Sequence, residues 1–160
     1  MDAMRSLMDE HQSLAAISHA IRHMIGEIDA GRLRPDQKLL EAMVHYLDAY
    51  PEKRHHPKED QFLFGPLKAR TTEGADALAR LEAEHGLAEA RIQALDAALQ
   101  GYANGAPDGF EAFSDAFETY ADFYRNHMLL EEREILPLLK RHFTADDWAT
   151  VESVLREDFS

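Results

Sequence analysis

The stretch Tyr124-Arg125-Asn126-His127-Met128-Leu129-Leu130-Glu131-Glu132 decides the fold of this chain, because it places ionisable groups on an apolar helix face. His127 and Glu131 are four residues apart, so both side chains lie on one face of a helix. Residues at spacings of three and four continue that face in both directions: Phe113, Phe117, Tyr120, Tyr124, Ile135 and Leu138. A bare carboxylate on a buried face costs several kcal/mol. The pattern therefore predicts that Glu131 is paired or binds a metal ion.

The composition indicates one soluble, globular domain over residues 1–160. The chain is 45% hydrophobic and 29% charged, which is typical of a globular protein. It has no cysteine, which excludes disulfides, thiol catalysis and cysteine-ligated metal sites. The chain opens directly into an amphipathic helix rather than a leader pattern, and we expect a cytoplasmic protein. The net charge of −13 predicts that neither nucleic acid nor an anionic membrane is a partner.

Apolar periodicity predicts an all-α fold with four long helices. These run over about 4–30, 35–64, 75–100 and from 108 onward. We expect a kink or break in the second helix near Pro51 and Pro57, an end at Gly65-Pro66, and a kink or end in the fourth helix at Pro137. The short connections predict an antiparallel up-down-up-down four-helix bundle over about 4–142. A short fifth helix, about 144–158, is expected to begin at Thr144-Ala145-Asp146-Asp147, which is a capping pattern, and to pack across the bundle.

Ionisable residues interrupt the apolar faces in two similar sets. The first set contains His11, His55 and Glu59, and the second contains His85, His127 and Glu131. From His55 to His127 and from Glu59 to Glu131 is 72 residues, and from His11 to His85 is 74. The chain is therefore interpreted as two similar helix hairpins, each with one lone histidine and one His-x-x-x-Glu pair. If Pro57 breaks the helix, His56 replaces His55 as the inward residue.

These six side chains can converge in the core of the bundle as four imidazoles and two carboxylates. Each carboxylate can bridge two ions, and nitrogen and oxygen ligands without sulfur suit iron, manganese or zinc. The spacing alone does not choose among these metals. The alternative is a polar core whose members satisfy one another by hydrogen bonds. His19 and His23 are also four residues apart but fall off the apolar face, where we expect two exposed histidines rather than a surface metal site.

The motifs Glu10-His11, His55-His56-Pro57-Lys58-Glu59, Glu84-His85 and His127-Met128-Leu129-Leu130-Glu131 resemble those of the hemerythrin-like, or HHE cation-binding, domains. The resemblance spans roughly residues 5–142. It implies a carboxylate-bridged centre of two iron ions, with zinc or manganese as less favoured occupants. It also implies the ligands: His11, His55, Glu59, His85, His127 and Glu131. Family roles include reversible oxygen binding, oxygen or iron sensing, and repair of iron–sulfur clusters.

The sequence departs from the oxygen-carrying members of that family at two positions. Those proteins have a fifth histidine one turn after the lone histidine of the third helix, where this chain has Glu89. They also end on an aspartate five residues after the last histidine, whereas Glu131 follows His127 by four. A further ligand is left open among Glu89, His56, Glu132 and none. The cluster-repair relatives carry a cysteine-bearing segment, and this chain has no cysteine.

The function expected from this resemblance is binding of dioxygen or a related small ligand for storage, delivery or sensing. We expect the ligand to sit among residues such as Leu14, Ile21 and Tyr124, and no residue is assigned a catalytic role. A redox enzyme acting on oxygen, peroxide or nitric oxide is one alternative, which Glu89 near the centre would favour. An iron-sensing or iron-handling protein is the other. The sequence does not identify a protein partner or the oligomeric state.

Overall fold

The structure is a computed structural model that describes residues 3–49 and 56–158, with the side chains of residues 56, 157 and 158 excepted. Every regular element in these two ranges is helical. The helices are α1 (Ala3–Asp29), α2 (Gln37–Leu47), α3 (His56–Glu59), α4 (Gly65–Arg70), α5 (Ala75–Ala103), α6 (Gly109–Leu130), α7 (Leu136–His142) and α8 (Ala145–Asp158). A π-helical turn over Asp60–Phe64 joins α3 to α4, and a second over Glu131–Ile135 joins α6 to α7.

The ends of the long helices lie close to the predicted positions. Helix α1 ends two residues before Gly31, and α2 begins after Asp36, whose Oδ1 accepts a hydrogen bond from the backbone N–H of Leu39 at 3.1 Å. That contact is an N-cap, which satisfies one backbone donor left over at a helix start. The break expected near Pro51 falls outside the described residues. Pro57 lies inside the short helix α3.

The predicted helix end at Gly65-Pro66 is wrong, because the helix continues through Pro66 to Arg70. Proline lacks a backbone N–H, and one residue before it the backbone makes a wider bond from Gly65 N–H to the carbonyl of Asp60. The same device precedes Pro137, where the N–H of Leu136 donates to the carbonyl of Glu131. Each proline then lies in the first turn of a new helix, where its missing donor has no cost.

Two apolar clusters fill the core. The first apolar cluster includes Leu14, Ile21, Ile92, Phe117 and Tyr124, from α1, α5 and α6 together with residues of α2. The second apolar cluster includes Leu7, Leu63, Leu81, Ile135 and Leu155, and also draws on α4, α7 and α8. On α1 the two clusters are about two helical turns apart, from Leu7 to Leu14, and His11 lies between them.

Helix α8 begins with the predicted capping box, in which Thr144 Oγ1 accepts from the N–H of Asp147 and Asp147 Oδ2 accepts from the N–H of Thr144. It contacts α1 and the first π-helical turn, and it buries Val151 and Leu155. Arg70 at the end of α4 donates to Asp147 Oδ1 at 3.1 Å. In the described part of the chain, each helix is too short or too polar to cross a membrane.

Candidate metal centre

A polar layer lies between the two apolar clusters. Among the described residues, the buried carboxylates and imidazoles are Glu10, His11, Glu59, His127 and Glu131. Helix α1, helix α6 and the second π-helical turn, which carry all of these except Glu59, also supply apolar side chains to one or both clusters. A carboxylate buried among apolar side chains is stable only when a hydrogen bond, a counter-charge or a metal ion compensates it. The layer is therefore the part of the core with a chemical role beyond packing.

His11, Glu59 and Glu131 meet in this layer from three separate segments of the chain. One ligand atom from each lies within 4.8 Å of the other two, and all three residues are buried. The Nε2 atom of His11 is 3.4 Å from Glu131 Oε1. The structure thus brings together three of the residues predicted from sequence, in a group that has the ligand types and spacing of a cation site.

His85 and His127 lie on the other side of Glu131. Their Nε2 atoms are 3.1 Å apart, and Nε2 of His127 is 3.9 Å from Glu131 Oε2. The two oxygens of Glu131 therefore face different histidines, with Oε1 toward His11 and Oε2 toward His127. This is the arrangement that a carboxylate needs in order to bridge two ions.

Both candidate bridging carboxylates lie at the edge of a π-helical turn. Glu59 is the last residue before the first π-helical turn, and Glu131 is the first residue of the second. A π-helical turn holds one residue more than an α-helical turn and changes the direction of the side chains around it, and such turns often occur at functional sites. The prolines that follow account for their presence in this sequence.

In three of the histidines, Nδ1 is the ring nitrogen that lies away from the layer, and it contacts a carboxylate. The Nδ1 atom of His11 is 2.9 Å from Glu132 Oε1, Nδ1 of His85 is 2.8 Å from Asp60 Oδ1, and Nδ1 of His127 is 3.2 Å from Glu84 Oε1. A carboxylate accepts a hydrogen bond, so each neutral imidazole donates from Nδ1. When the ring is neutral, its Nε2 atom then presents a lone pair to the layer, as a metal ligand requires.

The distances between these lone pairs fit a bound ion. Imidazole nitrogen binds zinc at about 2.0–2.1 Å, so two such nitrogens around one ion lie about 2.9 Å apart at a right angle and about 3.4 Å apart at a tetrahedral angle. The separation of 3.1 Å between His85 and His127 lies between these values. The same 3.1 Å is within hydrogen-bond range, so without metal a proton on one of these two nitrogens would hold the pair together, and a cation could take its place. Nitrogen and carboxylate oxygen donors in this combination suit iron, manganese and zinc.

Residues 2–139 match the protein family described as "Hemerythrin: Hemerythrin HHE cation binding domain". The chain belongs to this family. Comparisons with curated proteins and with solved structures gave no match. The resemblance predicted from the sequence motifs is confirmed, and hemerythrin-like domains bind cations, as the family description states.

The hemerythrin-like centre holds its histidines in different protonation states. Burial lowers the pKa of His11, but the hydrogen bond and charge of Glu131, with help from Glu59 and Glu132, outweigh burial and raise the pKa from 6.5 to about 9. Burial lowers the pKa of His127 from 6.5 to about 4, and nearby His85 adds to this, while Glu131 and Glu84 oppose it. At neutral pH and without metal, His11 carries a proton in the place a cation would take, and His127 is neutral.

The remaining predicted ligands and their alternatives have separate outcomes. His55 lies outside the described residues, as does the side chain of His56, so their predicted places in the hemerythrin-like centre stay predictions. Glu89 is exposed and its Oε1 accepts a hydrogen bond from Gln93 Nε2 at 3.3 Å. Glu132 contacts the outer nitrogen of His11 rather than the interior of the layer. His19 and His23 are exposed, as predicted.

The sequence did not predict that Asp60, Glu84 and Glu132 would each hold a histidine in place by accepting a hydrogen bond from its Nδ1 atom. None of the three lies on the apolar face of its own helix, and each contacts a histidine on another helix. A signal was nevertheless present, because Asp60 and Glu132 each directly follow a candidate bridging glutamate. Glu84 directly precedes the lone histidine of its set, as Glu10 does.

Proposed function

We propose that the protein is a non-haem di-iron protein of the hemerythrin type that binds dioxygen, or a related small ligand, for storage, delivery or sensing. The proposal includes one domain over residues 1–160 and an antiparallel up-down-up-down four-helix bundle. Its proposed ligands are His11, His55, Glu59, His85, His127 and Glu131, and zinc or manganese is the less favoured occupant. Cytoplasmic location and the absence of nucleic-acid or membrane partners belong to the same proposal.

The division of Glu131 between two histidine groups supports this function most strongly. One oxygen faces His11 and the other faces His127, which lies beside His85, so a single buried carboxylate connects two imidazole environments. Glu59 adds a second buried carboxylate next to His11 and Glu131. Two ions fit this donor set better than one, because a single ion between the groups would leave one of them without a cation.

Iron held at such a centre supplies a redox-active metal to which dioxygen can bind. The residues of the chain provide the rest of the function. The first apolar cluster excludes bulk water from one side of the layer, and its Tyr124 ring lies 5.9 Å from the ring of His127. On the other side, a cavity of about 20 Å³ reaches Glu59 between Leu7, Leu63, Val151 and Leu155. That space holds about one water-sized molecule.

The position of Glu89 does not support the alternative of a redox enzyme. A carboxylate at position 89 close to the centre would have made the ligand set richer in oxygen donors, but Glu89 is exposed and bonded to Gln93. Among the proposed ligands that the structure describes, three are imidazoles and two are the carboxylates of Glu59 and Glu131. Reversible ligand binding is therefore the function we propose, and turnover with peroxide is the observation that would replace it.

The test combines metal analysis with a visible spectrum, on protein purified from iron-supplemented cells. We expect about two irons per chain, with an absorption band that appears when air is admitted to the reduced protein and reverses when oxygen is removed. His11→Ala should lose iron, whereas the matched variant His19→Ala, on the exposed face of the same helix, should keep it.

Other outcomes identify the rivals. Two irons with irreversible oxidation would favour the redox enzyme. Iron that binds and strongly stabilises the fold without binding dioxygen would favour iron sensing or handling. A folded protein without stoichiometric metal would refute the proposal.

A further inference from the structure

We propose that Asp60 and Glu132 are positioning residues through which each half of the chain holds the lone histidine of the other half. The first half comprises residues 3–70 and the second half residues 75–142. The inference rests on the proposed metal centre and deepens it, because it makes binding at one histidine depend on the opposite half. Neither residue is among the six proposed ligands.

The two contacts are equivalent within the repeat. Glu132 directly follows Glu131 in the second half, and its Oε1 lies 2.9 Å from Nδ1 of His11 in the first half. Asp60 directly follows Glu59 in the first half, and its Oδ1 lies 2.8 Å from Nδ1 of His85 in the second half. The sequence repeat relates Asp60 to Glu132 by 72 residues, the same interval as between Glu59 and Glu131.

His127 provides a contrast, because its Nδ1 partner comes from its own half. Glu84 on α5 reaches Nδ1 of His127 on α6, and Arg80 Nε lies 3.5 Å from the other oxygen of Glu84. The carboxylate and the histidine therefore come from different halves at the two lone histidines, which lie on α1 and α5. The His-x-x-x-Glu histidine that the structure describes is supported locally.

The holding carboxylates, Asp60 and Glu132, are more exposed to solvent than the histidines that they contact. The side chains of Asp60 and Glu132 are 41% and 28% exposed, whereas those of His11 and His85 are each 5% exposed. The carboxylates lie at the rim of the polar layer and the imidazoles lie within it. A carboxylate in that place fixes the ring orientation and the tautomer of a ligand without occupying a position on the metal.

Adjacent residues on one turn link the two roles mechanically. Glu131 and Glu132 begin the second π-helical turn, so a shift of that turn moves both a proposed bridging ligand and the partner of His11. Glu59 and Asp60 are likewise adjacent where the first π-helical turn begins, so a shift there moves both a proposed bridging ligand and the partner of His85. We therefore expect substitution of a holding carboxylate to weaken metal binding at the histidine of the opposite half.

The test measures zinc and iron binding by chelator competition for Glu132→Ala, Glu132→Gln and the matched control Glu134→Ala. Glu134 lies on the same π-helical turn as Glu132 but is exposed. We expect Glu132→Ala to weaken the metal affinity about 10–100-fold. Glu132→Gln should restore most of the affinity, because its amide oxygen can still accept from Nδ1. Glu134→Ala should match the unaltered protein.

A second readout is independent of affinity and locates the effect. In ¹⁵N-histidine NMR spectra of the zinc-loaded protein, Glu132→Ala should shift the Nδ1–H signal of His11 and leave that of His127 in place. Asp60→Ala should shift the signal of His85, which keeps the test available if Glu132→Ala does not fold. Unchanged affinity and unchanged His11 and His85 signals would overturn the inference. Absence of metal from the unaltered protein would instead refute the proposed function.

Discussion

Glu131 is the residue on which the proposed centre depends most, since each of its oxygens faces a different histidine. Glu131→Gln keeps the shape of the side chain but replaces one oxygen by an amide group that does not bind metal ions well. We expect iron content to fall from about two per chain to one or none. Elemental analysis measures this, with Glu134→Gln on the same turn as the control. Full iron content in Glu131→Gln would argue against a bridging role.

The two unlike histidines predict how the stability of the metal-free protein depends on pH. The pKa of His11 is raised to about 9, so its stabilising contribution is complete below pH 6.5 and is lost as the pH rises through 9. The pKa of His127 is lowered to about 4, so between about pH 6.5 and pH 4 this histidine is protonated in the unfolded chain and neutral in the folded chain. That loss of stability develops as the pH falls from 6.5 toward 4.

These two residues together should give the metal-free protein a maximum of unfolding free energy near pH 6.5. Urea unfolding of chelator-treated protein at a series of pH values measures the curve. His11→Gln should flatten the slope on the alkaline side and leave the acidic side unchanged. An equal alkaline slope in both proteins would show that His11 does not hold the extra proton.

The positions of the histidines and glutamates in the polar layer could be predicted because three-and-four spacing marks one helix face. His11, Glu59, His127 and Glu131 are all buried where the apolar faces meet. Metal binding by them stays a prediction. The partners of Nδ1 could not be predicted in the same way, because they arrive from neighbouring helices, and only packing determines which helix faces which.

At the scale of the elements, the loop before α5 depends on Gly74. Its φ of +72° is in the left-handed region, and a Cβ there would lie 2.5 Å from Cδ1 of Leu138 on α7. Gly74→Ala should therefore lower the unfolding free energy by more than the strain of the left-handed backbone, which is about 1–2 kcal/mol. Gly105→Ala is the matched control, because Gly105 has a φ of +76° and open space around its Cβ position.

Chemical unfolding of the two glycine variants separates the backbone effect from the clash. Gly105→Ala should show the strain alone, and Gly74→Ala should be the less stable of the two. Equal losses would mean that Leu138 moves aside without cost.

The helices themselves could be predicted from apolar periodicity, and the errors occur at proline. Pro66 was expected to end a helix, but α4 continues to Arg70 after a π-helical turn. A proline can end a helix, or the helix can continue past it after one wider turn. Which of the two occurs depends on whether the residues that follow are buried. Leu67 is fully buried in the second apolar cluster, so continuation of the helix past Pro66 is favoured by packing that local sequence does not display.

At the scale of the whole molecule, the polar layer divides the core into two apolar clusters. Such a layer costs the folded state least when a cation neutralises its carboxylates and binds its imidazole nitrogens. Removal of metal should therefore lower the melting temperature. Free metal at 100 times the dissociation constant adds about 2.7 kcal/mol of stability through one site. Thermal melts with and without chelator, at several metal concentrations, test this prediction.

A core variant away from the layer provides the control for metal removal. Ile92 is buried in the first apolar cluster, and Ile92→Val should lower the unfolding free energy by about 0.5–1.5 kcal/mol. The loss should be the same with and without metal, because the substitution touches no proposed ligand. If the metal left the melting temperature unchanged, the layer would be a polar core satisfied by its own hydrogen bonds.

The exchange of holding carboxylates between the two halves also bears on how such a chain can arise. Each half of the chain supplies a lone histidine but takes the partner of that histidine from the other half. A gene for one hairpin would therefore complete a centre only when two identical chains associated symmetrically, each lending a carboxylate to the other. Fusion of two gene copies in tandem would make that association permanent, and each half could then diverge as long as the reciprocal contacts survived.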